Sequence, residues 1–345
     1  MYEAAAAQTG APPPEALIAE TLLSQLAPRV VHLAATLKLP SHLAQGPKTA
    51  EELAPMTATH APALYRVMRT LAGLGFFTED AEHRFALRPL GAALKSRTPS
   101  HATALILGGE IATRSFDQLS YSVQTGNSGF ERSFGMPLFD WLTANPAQAS
   151  LFNDMMVGLH GMEPPAIAAA YDFSAFQTIA DVGGSTGNLL TTILTRHQGL
   201  RGILFDLPHV VRDAPSLIQQ RGLGGRIQIE GGSFFEGVPA GADIYILSHI
   251  IHDWSREQCL IILGSCRRAM NSGGRLLLVE MVLPDGDAPH PGKMLDMVML
   301  TVTGGEERTA SQYSALLDEA GFRMTRVVPT ASLVSIVEAV PAGIT

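Results

Sequence analysis

The stretch Thr178-Ile-Ala-Asp-Val-Gly-Gly-Ser-Thr-Gly187, running on into Asn188-Leu-Leu-Thr-Thr-Ile-Leu194, constrains this chain more than any other. A short β-branched run ends in an acid, a turn of small residues follows, and apolar residues then recur at helical spacing. That is strand, turn and helix, the first unit of a parallel α/β sheet. Gly183, Gly184 and Gly187 allow a tight turn and close approach of a ligand to the backbone. The helix start beyond them offers unpaired N–H groups.

A dinucleotide fingerprint needs G-x-G-x-x-G, and no frame supplies it: counting from Gly183, position 185 is Ser and position 188 is Asn. No Lys-Ser/Thr pair follows to hold a nucleotide phosphate. The acid Asp181 instead stands just before the glycines, where it can accept from an ammonium group and would repel a pyrophosphate. A second acid, Asp206, ends the next expected strand, Gly202-Ile-Leu-Phe-Asp206, where a carboxylate can grip ribose hydroxyls. An adenosine ligand carrying an amino acid fits both. A plain tight connection is the bland reading of the same loop.

Composition narrows the partners. With 345 residues the chain has room for two domains, and 46% hydrophobic with 16% charged residues describe a well-buried globule. A net charge of −8 argues against nucleic acid. Cys259 and Cys266, the two cysteines, form neither a disulfide framework nor a metal-ligand pattern and suit a reducing cytoplasm. The start has no basic region followed by an apolar core, and no apolar run approaches a membrane span. A soluble cytoplasmic protein without membrane contact is expected.

Residues 1–14 are rich in Ala and Pro and read as a loose tail. Residues 15–104 form a first domain. One apolar-periodic helix is expected from Glu15 to about Leu39, ending before Pro40, and a capping box opens a short helix at Thr49-Ala-Glu-Glu52. A helix from Pro62 to Leu71 follows, then a hairpin from Gly75-Phe-Phe-Thr78 to Arg84-Phe-Ala-Leu87. This is a winged-helix arrangement. It serves DNA binding or packing against another chain, and the scarcity of basic residues beyond Arg66 and Arg69 favours packing.

Residues 105–170 read as a helical connector rich in Phe and Met, either ordinary core or the lining of a flat apolar pocket. Residues 171–345 alternate β and α, with strands near 178–181, 202–206, 227–230, 244–248, 275–282, 323–328 and 333–339. A mainly parallel seven-stranded sheet with helices on both faces, a Rossmann-like α/β fold, is the expectation. Ligands then gather outside the carboxyl ends of the strands. Ser248, His249, His252 and Asp253 follow one strand, Glu280 ends the next, and Gly304-Gly-Glu-Glu-Arg-Thr309 comes later. A His oriented by a carboxylate can take a proton from a hydroxyl near neutral pH. The rivals are a satisfied structural His and a metal set of His249, His252 and Glu280, whose spacing matches no familiar zinc pattern. No metal is expected.

Asp181-Val-Gly-Gly-Ser-Thr-Gly187, Phe205-Asp-Leu-Pro-His209, Gly232-Ser-Phe-Phe235, His252-Asp-Trp254, Glu280 with Leu283-Pro284, and Gly305-Glu-Glu-Arg-Thr309 occur in that order. Together they resemble the small-molecule S-adenosylmethionine-dependent O-methyltransferases of the caffeic-acid, acetylserotonin and bacterial polyketide type, over nearly the whole chain. The resemblance implies an enzyme that uses S-adenosyl-L-methionine without metal, and a winged-helix module that makes a homodimer. It implies His252 as general base, flanked by Glu280 and Glu307. Asp181, Gly183, Gly184, Gly187, Asp206, Leu207, Ser233, Phe234 and Ser248 would line the cofactor. Phe116, Phe152, Met156 and Met299 would line the pocket for a small, aromatic hydroxyl acceptor.

Three positions depart from the plant pattern: Ser185 stands for a glycine, Ser233 for an Asp and Ser248 for a basic residue. Two other functions stay open at this point. One is a cofactor-binding relative that supports hydroxylation or decarboxylation, and the other is a winged-helix DNA-binding regulator.

Overall fold

Every strand of the C-terminal half enters one sheet or a short ladder beside it. The computed structural model describes residues 13–95, 101–271 and 273–343. The chain divides into two compact units. One holds the described residues up to Glu110 together with Ser150–Gly158, and the other holds Ile111–Ala149 and the described residues from Leu159 onward.

In the first unit the capping box forms as read. Glu52 N donates to Thr49 Oγ1 at 3.3 Å and Thr49 N donates to Glu52 Oε2 at 2.8 Å, opening the helix Ala50–Thr57. A helix Ala61–Gly73 follows, then an antiparallel pair, β1 (Phe77–Glu79) and β2 (Phe85–Leu87). Leu53, Leu64, Met68, Leu71, Phe77 and Phe85 close its core. The single long helix expected at the start is instead two, Pro14–Ser24 and Leu26–Thr36. Pro28 has no N–H to give the carbonyl four residues back, so the ladder breaks there. Pro40, expected to lie beyond the helix, sits in the first turn of a further short helix, Leu39–Leu43, where a missing N–H costs nothing. Of the expected tail, residues 1–12 lie outside the described residues.

The helix Pro14–Ser24 has no buried residue, and Leu17, Ile18, Leu22 and Leu23 are all exposed. Within the described residues no helix is long and apolar enough to cross a membrane.

The second unit contains β3 (Thr178–Val182), β4 (Arg201–Asp206), β5 (Ile227–Gly231), β6 (Ile244–Ser248) and β7 (Arg275–Glu280). It continues with β8 (Val282–Leu283), β9 (Arg308–Thr309), β10 (Phe322–Pro329) and β11 (Ser335–Pro341). The seven-stranded sheet runs β10-β11-β7-β6-β3-β4-β5. Strands β3 to β7 pair in parallel, and β10 and β11 are antiparallel additions. Strand order reverses at β3, so the glycine turn opens at the switch point where such sheets bind ligands.

Both faces are covered, which explains the near-continuous apolar runs. Ile179, Leu204, Ile246 and Val279 face one core, and Ala180, Tyr245, Leu247 and Leu278 face the other. Cys259 and Cys266 are buried in the second core, on the helix Arg256–Ala269.

Candidate active site

The β6 and β7 ends and the segment before β9 bring three titratable side chains together. After β6 the chain turns through a single 3₁₀ turn, Ile251–Asp253, and His252 there is only 6% exposed. Its Nδ1 lies 2.7 Å from Glu307 Oε1 and 3.5 Å from Glu280 Oε2. Glu280 is fully buried at the end of β7, and its Oε1 accepts from the backbone N–H groups of Ile250 and Ile251 at 3.2 and 2.9 Å. Glu307 arrives by the parallel ladder of β8 and β9, which registers Val282 against Arg308.

The turn carrying His252 is clamped from several sides. Glu306 N donates to His252 O at 2.8 Å, and Arg308 Nη1 donates to Ile251 O at 3.2 Å. Cys259 Sγ donates to Ile251 O at 3.2 Å. Position 305 must be glycine, because a Cβ there would lie 1.9 Å from His252 O. Asp296 Oδ1 takes the Glu307 N–H at 2.8 Å, fixing the acid in turn.

Burial sets the charges. It lowers the His252 pKa below its ordinary value, so the ring is neutral near pH 7. Burial and then the charge of Glu307 hold Glu280 well above the usual carboxylate range, and burial raises Glu307 to about 7. Both acids face the same ring nitrogen, and Glu280, the deeper of the two, is the one held protonated. Glu307, which ionises around pH 7, then carries the negative charge opposite Nδ1. That selects the tautomer with the proton on Nδ1 and leaves Nε2 as the free base.

On the other side of β3, the glycine turn bends back on Asp181 and Asp206. Asp181 is buried, its Oδ2 has no hydrogen-bond partner, and burial reinforced by Asp206 raises its pKa to about 7. A Cβ on Gly184 would meet the Asp181 carboxyl at 2.6 Å. Asp206 takes Ser185 N–H on Oδ2 at 2.8 Å and Leu207 N–H on Oδ1 at 2.7 Å. Each of its oxygens therefore keeps a lone pair. Ser185 has φ 52°, so the residue standing for a glycine holds a left-handed backbone, at a cost of about 1–2 kcal/mol. An unpaired buried acceptor beside a glycine cradle, with a second carboxylate next to it, fits an ammonium and a pair of ribose hydroxyls.

The remaining expected residues fall as follows. Phe234 meets Trp254 edge-on at 5.7 Å, and Trp254 stacks on Phe139 at 5.1 Å. Ser233 Oγ accepts from Phe235 N at 3.3 Å, and Ser248 ends β6, half-buried. Phe116 and Met299 belong to the same unit as His252. Phe152 and Met156 lie on the helix Pro146–His160, in its portion assigned to the other unit.

Sequence reasoning gave no role to Asp253, Gly305 or Arg308, and it missed Asp296 and the pairing of His160 and Glu163 with His249. Asp253 Oδ1 lies 3.9 Å from His252 Nε2. Asp253 and Arg308 sit inside quoted motifs, so their signal was present. In the cluster, Glu163 Oε2 is 2.7 Å from His249 Nε2 and Oε1 is 3.2 Å from His160 Nδ1. Burial alone would raise Glu163, but the two imidazole hydrogen bonds outweigh it and bring its pKa to about 2.

Residues 116–323 match the model of the O-methyltransferase domain, and residues 19–97 match the O-methyltransferase dimerisation domain. The phenazine O-methyltransferase PhzM of Lysobacter antibioticus is 42% identical over 97% of this chain and 98% of that protein. The crystal structure of LaPhzM superposes with a TM-score of 0.90 at 41% identity, over 96% of this chain and 100% of that one. An O-methyltransferase from neocarzinostatin biosynthesis, solved with S-adenosylmethionine and 2-hydroxy-5-methyl naphthoic acid, gives 0.82 at 34%, over 91% and 96%. Aclacinomycin 10-hydroxylase of Streptomyces purpurascens is 34% identical over 89% of this chain and 84% of that protein. The fold and this site define a Rossmann-like transferase with an N-terminal dimerisation module. The chain belongs to the O-methyltransferase family and is an S-adenosylmethionine-dependent O-methyltransferase.

Proposed function

We propose that the protein transfers a methyl group to a hydroxyl on a small aromatic natural product, with His252 as general base. The observation that carries this reading is the buried His252 whose Nδ1 is held by Glu307 at 2.7 Å, with Glu280 behind it. Asp181 and the turn at Gly183, Gly184 and Gly187 would hold the amino-acid end of S-adenosylmethionine. Asp206 and Leu207 would hold the ribose, and Ser233, Phe234 and Ser248 the adenine side. The bound cofactor supplies an activated methyl on a sulfonium, so no metal is needed to drive the transfer.

What the chain's own residues do is align and deprotonate. His252 Nε2 takes the acceptor's hydroxyl proton as the oxygen becomes the nucleophile, and the imidazolium so formed is stabilised by Glu307. Such a base contributes roughly two to four powers of ten, and alignment contributes much of the rest. Phe116 and Met299, in the same unit as His252, would line the acceptor pocket. The exposed apolar helix Pro14–Ser24 supports a homodimer, since a helix with no buried face in one chain calls for cover from another.

A panel of hydroxyphenazines and dihydroxynaphthoates with methyl-labelled S-adenosylmethionine tests the reading. Label entering an ether, with S-adenosylhomocysteine released, is expected. Product carrying a new hydroxyl and no label would mean the chemistry of the hydroxylase relative. A salt-sensitive shift of generic duplex DNA would favour the regulator instead.

A further inference from the structure

We propose that His160, Glu163 and His249 form a site for one divalent transition-metal ion of the zinc class, and that an ion bound there silences His252. His160 and Glu163 stand three apart where the helix Pro146–His160 meets the helix Glu163–Ala170, and His249 is the first residue after β6. One ligand atom from each lies within 4.8 Å of the others. The carboxylate contacts both imidazoles, at 2.7 and 3.2 Å. A tetrahedral ion with bonds near 2.0–2.1 Å sets its ligand atoms about 3.3 Å apart. Small side-chain adjustments therefore reach that geometry.

Two imidazoles and one carboxylate suit zinc, cobalt or nickel rather than magnesium or calcium, which take oxygen ligands. The side chains are 30%, 12% and 13% exposed, which admits an ion and a water as its fourth ligand. His249 turns Nε2 toward Glu163 and leaves its other ring nitrogen uncommitted. Its Nδ1 is buried without a hydrogen-bond partner, and its backbone is left-handed with φ 54°. Departures of this kind collect at functional positions.

The group His249, His252 and Glu280 also has ligand atoms within 4.8 Å. There, however, His252 Nδ1 is engaged by Glu307 and Glu280 Oε1 by two backbone N–H groups. The His249 and His252 rings lie 5.3 Å apart between centroids. An ion on His249 therefore puts positive charge beside the ring that must itself become positive when it takes the acceptor's proton. This silencing rests on His252 being the base; the binding of the ion does not.

The test uses the full-length protein stripped of metal with a chelator. Cobalt(II) is titrated while its visible absorption is followed, and zinc is titrated by calorimetry. The comparison variants are His160→Ala and Glu163→Gln, with circular dichroism confirming their fold. One ion per chain is expected, bound at least about tenfold more weakly by either variant, since even outer-shell changes cost 10–100-fold. Zinc should inhibit methyl transfer over the range in which it binds, EDTA should restore it, and His160→Ala should tolerate at least tenfold more zinc. Absence of binding, or equal binding by all three proteins, overturns the site. Binding without inhibition overturns the silencing. Should His252→Ala retain full turnover, the base assignment fails while the cobalt spectrum still reports the site.

Discussion

Nδ1 of His252 and Oε1 of Glu307 lie 2.7 Å apart, both side chains buried, with the acid fixed in turn by its own N–H on Asp296. The contact decides which imidazole nitrogen is left to work. Because the carboxylate accepts a hydrogen bond from Nδ1–H, Nε2 is presented as a lone pair, in a ring that burial keeps neutral.

Removing that ring separates binding from chemistry. His252→Ala should bind S-adenosylhomocysteine within about threefold of the wild type and lose roughly 10²–10⁴ in kcat. Calorimetry and a labelled-methyl assay on the same preparation check this, and undiminished turnover would sink the assignment.

Replacing Glu307 with its amide should trade activity for stability. The folded-state pKa is raised from 4.5 to about 7, so the folded protein binds this proton more tightly than the unfolded chain does. The native carboxyl therefore costs stability as pH rises from about 4.5 to 7, and the cost stays constant above. Glu307→Gln should be more stable than wild type above pH 7, by roughly 3 kcal/mol at most, and no more stable near pH 4. Its kcat should fall at least tenfold. Denaturant midpoints across pH read the first effect, and a variant less stable at pH 8 than the wild type would contradict it.

At Gly305 a single methyl group should be enough to displace the base. A Cβ would overlap the carbonyl oxygen of His252 at 1.9 Å, backbone against backbone, so the turn must shift. A displacement of about 1 Å costs on the order of 10²-fold in rate. Gly305→Ala should show that loss in kcat together with a lowered Tm, while S-adenosylhomocysteine affinity changes little.

Asp206→Asn probes the other end of the site. Losing hydrogen bonds to a charged acceptor costs about 1.5–3 kcal/mol, so S-adenosylmethionine KM should rise roughly 10–100-fold with kcat at saturation nearly kept. An unchanged KM would remove Asp206 from the ribose site.

Much of this architecture was legible in the sequence because parallel strands buried on both faces write themselves as apolar runs between turn residues. Asp181, Asp206 and Glu280 were placed at strand ends by that pattern alone. The break after Ser24 was hidden because apolar spacing continues across it, while the lesion is one N–H missing at Pro28. Gly305 looked like one more turn glycine, since nothing in its neighbours shows that a carbonyl from position 252 lies against it. The link between Glu163 and His249 spans the β3–β6 half of the sheet and leaves no local trace.

The ladder of β8 and β9 is two residues long, yet it joins segments on either side of the helix Pro291–Val298 and seats Glu307 against His252. Only two residue pairs hold this ladder, so the segment bearing Glu307 can open locally while the main sheet stays closed. Molecules caught in that open state keep a complete glycine turn and still lack the acid beside His252.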